Sequence, residues 1–225
     1  MSVALITGGS AGLGLALLEA LTQRGWTVIA DGRDADRLAD VQSPGAVRVV
    51  GDIADPTHRA ALVAEVERLG RLDLLVHNAS TLGPLPLRPL RELTGDDLAT
   101  TWAVNAVAPH ELTRALLPRL RASNGVLISL SSDAAVEHYP TWGAYGAGKA
   151  ALDHLTATWA AEEDLLAYAI DPGDLRTALH QAAFPGEDIS DRPLPATVVP
   201  AFLEILRRRP AAGRYRAADF LPVGV

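Results

Sequence analysis

The chain has 225 residues, 48% of them apolar, a net charge of −7 at pH 7 and a pI near 5.3. That length supports one sizeable domain with a full core, and the composition excludes a disordered chain. The acidic balance argues against a nucleic-acid or anionic-membrane surface, and the lack of cysteine removes disulfides and thiolate metal sites, so a cytoplasmic protein without membrane attachment is the default expectation.

The chain opens on an apolar run, "VALIT" (3–7), too short to span a bilayer. A glycine-rich turn follows, and "GLALLEALTQRG" then shows helical spacing that stops at Gly25. "WTVIA" (26–30), "AVRVV" (46–50), "LDLLVH" (72–77), "GVLISL" (125–130) and "LLAYAI" (165–170) read as further buried strands, because near-continuous apolar runs suit strands covered on both faces. Helical patterns fill 34–41, 56–69, 95–120 and 143–163. Such alternation means a parallel sheet with right-handed crossovers, an open doubly wound α/β domain over 1–225 with helices on both faces. Residues 171–195 lack sheet periodicity and are long for a loop, so 174–195 is expected to be a substrate loop or lid. A helix over 196–209, whose arginines 207–209 read as a solvated end, and a last strand over 213–223 complete the chain.

The turn in "ITGGSAGLGLALLEAL" sets Gly8, Gly12 and Gly14 between a strand and a helix, with Ser10 and Leu13 among them. Glycine lets a bulky anion approach closely, and a helix N-terminus favours phosphate. No Lys-Ser/Thr pair follows, so this is not a P-loop, and the spacing T-G-x-x-x-G-x-G is longer than G-x-G-x-x-G. A dinucleotide is the expected ligand. At the end of the second strand, an acid takes the ribose 2′-hydroxyl of NAD, whereas arginine accepts the 2′-phosphate of NADP. "IADGRD" offers Asp31 and Arg33; Arg33 favours NADP, with NAD the second choice.

"TGGSAGLG" (7–14), "GDI" (51–53), "HNAS" (77–80), Asn105 in "WAVNAVAP", Ser132 in "SLSS", "YGAGK" (145–149) and "DPGDLRT" (171–177) occur in one order. Together they resemble the short-chain dehydrogenase/reductase family in its basic, single-domain Rossmann-type form, over almost the whole chain. The resemblance implies an NAD(P)-dependent oxidoreductase acting on a small to medium carbonyl compound or secondary alcohol, working as a homodimer or homotetramer. It implies that Asp52 and Ile53 meet the adenine and that Asn78 and Ala79 run beside its ribose. Pro172, Gly173 and Leu175 would border the nicotinamide, and Thr177 would hold its carboxamide or a phosphate. Ser132, Tyr145, Lys149 and Asn105 match the family's catalytic tetrad. His77 and Ser80 depart from the family's usual N-N-A-G, and the stretch from Lys149 to Pro172 is a few residues short. A non-catalytic dinucleotide sensor, or an epimerase or dehydratase on the same scaffold, is the alternative.

The chain's single lysine is Lys149; the other nineteen basic residues are arginine. Tyr145 stands four residues earlier, on the same helix face. A free tyrosine titrates near ~10, and one charge about 4 Å away at an effective dielectric of about 20 supplies roughly the 4 kcal/mol that would bring it down by 3 units. Lysine, a compact charge with three rotatable donors, suits that place better than the planar arginine fork. The six histidines, 58, 77, 110, 138, 154 and 180, show no metal-ligand spacing and read as ordinary surface or core. Asp133, His138, Tyr139, Trp142 and Phe184 are expected near the substrate, and Glu187, Asp188 and Asp191 in water.

Overall fold

The computed structural model describes residues 1–221. Its strands are β1 Val3–Ile6, β2 Thr27–Gly32, β3 Ala46–Val50, β4 Leu74–His77, β5 Val126–Leu130, β6 Leu166–Asp171 and β7 Gly213–Arg216. Its helices are α1 Gly12–Thr22, α2 Ala35–Ala39, α3 Pro56–Leu69, α4 Gly95–Trp102, α5 Ala108–Ala122, α6 Gly143–Glu163, α7 Ala178–Ala183 and α8 Val199–Arg208. The strands form one sheet in the order β3-β2-β1-β4-β5-β6-β7, and every neighbouring pair is parallel. Strand order reverses between β1 and β4, which opens a crevice beyond their carboxyl ends.

Two apolar layers hold the helices to the sheet. Leu17, Leu18 and Leu21 of α1 join Phe202 and Ile205 of α8 on one face. Leu62 and Val66 of α3 join Leu112 and Leu116 of α5 on the other. β1, β2, β4 and β5 are buried throughout, as their unbroken apolar runs imply. β3 departs from that expectation: it is an edge strand with Arg48 and Val50 exposed. Helix ends follow local chemistry. Asp34 caps α2 by accepting from Arg37 N–H, and Asp55 caps α3 by accepting from Thr57 N–H, with Pro56 at the first helical position.

Three further differences concern the site. The predicted 95–120 helix is interrupted by a π-helical turn, Ala103–Val107, between α4 and α5. The 174–195 segment contains α7, a short helix whose N-cap is Thr177. The predicted last strand ends at Arg216 and gives way to a 3-10 turn, Ala217–Phe220; residues 222–223 of that prediction, like 222–225 of the predicted domain, lie outside the described residues. Among the described residues, no helix is long and apolar enough to cross a membrane.

Candidate active site

A cleft of about 1040 Å³ opens at the β1/β4 reversal and runs to the carboxyl ends of β5 and β6. The glycine turn forms one end. Gly8 and Gly12 have φ of +67° and +55°, the left-handed region that favours glycine. Gly14 is needed for space: a Cβ there would lie 2.5 Å from both the Gly8 carbonyl oxygen and Asn78 Nδ2. Asn78 props the turn by donating to the carbonyls of Thr7 and Gly8 at 2.8 and 3.0 Å. No side chain caps α1, and its first turn holds no acid. Its free N–H groups and positive end therefore suit a phosphate, and the glycine turn fits a dinucleotide.

Gly8, Ser10, Gly12, Leu13, Arg33, Asp52, Ile53, Asn78 and Ala79 all line this end of the cleft. Gly14 lies one residue behind it, buried. Asp31 and Arg33, close in sequence, go to different places. Asp31 is buried, accepting from Gly8 N–H at 2.5 Å and facing His58 Nε2 at 3.0 Å. Arg33 is exposed and stands 3.8 Å from Asp52. Thr177 meets the same turn from across the cleft, its methyl 3.5 Å from where a Cβ on Gly12 would sit. Its hydroxyl accepts from His180 N–H as the α7 cap. Pro172, Gly173 and Leu175 line the cleft beside it.

Ser132, Tyr145 and Lys149 line the other end. Ser132 follows β5 and caps a 3-10 turn; its Oγ accepts from Ala134 N–H at 3.2 Å and donates to Asp133 Oδ1 at 2.9 Å. Tyr145 is in the first turn of α6, and Lys149 is one turn later on the same face. Lys149 is buried, donates from Nζ to the Leu130 carbonyl at 2.7 Å, and lies 5.6 Å from the Tyr145 ring centre. The expected lowering of the phenol by Lys149 is not what this geometry produces. Burial pushes Tyr145 up to about 12, against hydrogen bonding from Ser132 and Ser80. Burial also brings Lys149 down to about 8, opposed by the charge of Asp153. A buried phenol resists ionisation for the same reason that a buried ammonium sheds its proton.

Asn105 occupies the centre of the π-helical turn and does not line the cleft. Its Oδ1 accepts from Thr81 N–H at 2.9 Å and Ser80 Oγ at 3.2 Å, and its Nδ2 donates to the Thr81 carbonyl at 2.8 Å. The amide thus fixes the Ser80–Thr81 segment. Ser80, which in the sequence is only a departure from the family pattern, donates to Asn105 Oδ1 and lines the same cleft as Tyr145. Arg214 of β7 had no sequence signal. It donates to Asp153 Oδ2 at 3.0 Å and to the Ser132 carbonyl at 2.9 Å, and it stands 3.5 Å from Asp171. These partners are 43 to 82 residues away along the chain, so no local pattern could reveal them.

Trp142 packs edge-on to Tyr145, with Phe184 5.9 Å beyond it, so the 174–195 segment adjoins the tyrosine. Arg176 holds that segment together through the carbonyls of Ser190 and Arg192. Glu187, Asp188 and Asp191 are exposed. Among the described residues, no group of three or more His, Asp or Glu is placed to hold a metal.

His77, another departure, is buried at the end of β4, with Nε2 2.7 Å from Thr113 Oγ1. Burial, then the charge of Lys149, brings it down to about 3 from an ordinary 6.5. An unfolded chain takes up this proton as pH falls through 6.5 while the folded one does not, so stability is full above 6.5 and declines toward pH 3. Between pH 7 and pH 5 the parent protein should lose about 2 kcal/mol more than His77→Asn, at ~1.4 kcal/mol per pH unit. Urea midpoints at the two pH values check this; equal losses would remove the assignment.

The model of the short chain dehydrogenase family matches residues 2–188. An uncharacterised oxidoreductase of Schizosaccharomyces pombe is 31% identical over 182 residues, 79% of this chain and 72% of that protein. A short chain dehydrogenase of Pseudomonas syringae superposes with a TM-score of 0.89 at 32% identity, covering 96% of this chain and 94% of that one. One from Shigella flexneri, solved in complex with NADP, gives 0.87 at 29%, covering 96% and 97%.

Proposed function

The chain belongs to the short-chain dehydrogenase family and is an oxidoreductase of that type, and on that premise we propose that it reduces a small to medium carbonyl compound with NADPH, Tyr145 delivering the proton. The observation that carries the reading is one cleft with the glycine turn at one end and Ser132, Tyr145 and Lys149 at the other. A nicotinamide bound in it supplies the hydride. Ser132 turns its hydroxyl hydrogen from Asp133 to the substrate oxygen. Tyr145, held protonated by burial, gives its proton to the alkoxide that forms there. Lys149 keeps one hydrogen on the Leu130 carbonyl and has two left for ribose hydroxyls. Asn105 acts at one remove, by holding the Ser80–Thr81 segment. The 174–195 segment closes over the substrate, with Trp142 and Phe184 as its apolar contacts.

NADP is favoured over NAD because Asp31 is turned inward while Arg33 stays exposed at the cleft. The NADP-bound relative from Shigella flexneri points the same way. Arg33→Ala should weaken NADPH about tenfold or more and NADH by less than about twofold, because only the 2′-phosphate uses the guanidinium. Titration calorimetry reads both, and equal losses would refute the phosphate role. The proposal as a whole is tested by the same titration on the parent protein, followed by a panel of ketones and aldehydes with NADPH oxidation followed optically. Micromolar NADPH binding with turnover of a panel member supports it. No binding of either nucleotide would overturn it.

A further inference from the structure

We propose that His58 sets the dinucleotide preference of this site by holding Asp31 away from the adenosine ribose. The inference rests on the cofactor reading above and deepens it.

Asp31 stands at the strand end from which an acid takes a ribose hydroxyl, and it borders the cleft. Its carboxylate is nevertheless only 2% exposed, and both oxygens are engaged. Oδ1 accepts from Gly8 N–H, and Oδ2 lies 3.0 Å from His58 Nε2. A buried carboxylate is stable only while its oxygens have donors, and the imidazole supplies the second. A neutral imidazole with its hydrogen on Nε2 does this as well as a charged one.

The imidazole reaches Asp31 through a gap made for it. His58 lies in the first turn of α3, and its ring crosses the space where a side chain of residue 51 would stand. A Cβ on Gly51 would be 2.2 Å from His58 Nδ1. The backbone of Gly51 lies outside the left-handed region, so the glycine there provides room for the ring rather than a turn. Asp31, Gly51 and His58 thus form one device from three separate segments. It leaves the cleft wall with Arg33 and Arg37 outward and the acid inward. His58 touches neither substrate nor nucleotide; it is a positioning residue. Without its donor, Oδ2 of Asp31 is unsatisfied, and the carboxylate turns toward the cleft, where it accepts from a ribose 2′-hydroxyl and repels a 2′-phosphate.

The test is equilibrium binding of NADPH and NADH, by calorimetry, to the parent and to four variants. His58→Leu should lower the ratio of NADPH to NADH affinity by about tenfold or more, as expected for a like charge brought beside the phosphate. His58→Gln, whose amide can still donate, should keep the ratio within about threefold, and H58L/D31N should restore it. Asp31→Asn alone should also leave it within about threefold, since the acid is already masked. An unchanged ratio in His58→Leu would overturn the proposal. So would a tenfold rise in NADPH preference in Asp31→Asn, which would mean that the acid already faces the phosphate. Should His58→Leu fail to fold, Asp31→Asn decides. A parent protein that binds neither nucleotide, or prefers NADH, defeats the cofactor reading itself. A parent that prefers NADPH with an unmoved His58→Leu ratio defeats only this inference.

Discussion

Tyr145→Phe should lower turnover by about three orders of magnitude and leave dinucleotide affinity within about twofold, because the proposed proton donor is lost while the cleft keeps its shape. The ring is buried beside Leu82, Ala134 and Trp142, and phenylalanine fills the same space. Only the hydroxyl goes. In this structure the phenol is a weak acid, held up near 12 by burial. Such a group keeps its proton across the neutral range and releases it only to a stronger base, such as the alkoxide left by hydride addition. Steady-state kinetics paired with calorimetry measures both quantities. Turnover within tenfold of the parent would exclude Tyr145 as the donor.

Lys149→Arg should cost about a hundredfold or more in turnover despite conserving the charge, and should lower the unfolding temperature. The parent ammonium is 2% exposed and ends on the Leu130 carbonyl. The helix that carries it lies against the π-helical turn so closely that a Cβ on the neighbouring Gly148 would sit 3.2 Å from Asn105 Cβ. Overfilling such a place costs about 1–3 kcal/mol. The planar fork would also present its donors in the wrong directions. Thermal unfolding and kcat, measured together, check the prediction. Full activity would mean that charge alone matters there and that the chain's one lysine is not required by geometry.

Much of this protein was legible in its sequence, for identifiable reasons. β3, α3 and α6 appear where an apolar run and helical spacing put them. The pairing of Tyr145 with Lys149 needs only the pitch of a helix, and the glycine turn needs only a strand before it and a helix after. Contacts set by the sheet were not legible. Asp31 and Arg33 looked like rival ligands of one ribose, yet the inward register of β2 buries the first beside His58, 27 residues away. The direction of the Lys149 ammonium depends on a carbonyl at the end of β5, which spacing along α6 does not reveal. α7 escaped notice because six residues framed by proline and glycine carry too little periodicity. The inside of the 95–122 helical stretch hid its π-helical turn for a related reason: one extra residue in a turn leaves the apolar pattern nearly unchanged.

The guanidinium of Arg214 closes on the carbonyl of Ser132 from a strand made 82 residues later. A growing chain therefore holds its serine, tyrosine and lysine long before it holds the clamp that joins the ends of β5 and β6 to the middle of α6. Shortening the polypeptide from its C-terminal side past Arg214 would remove that clamp while leaving every cleft-lining residue in the chain.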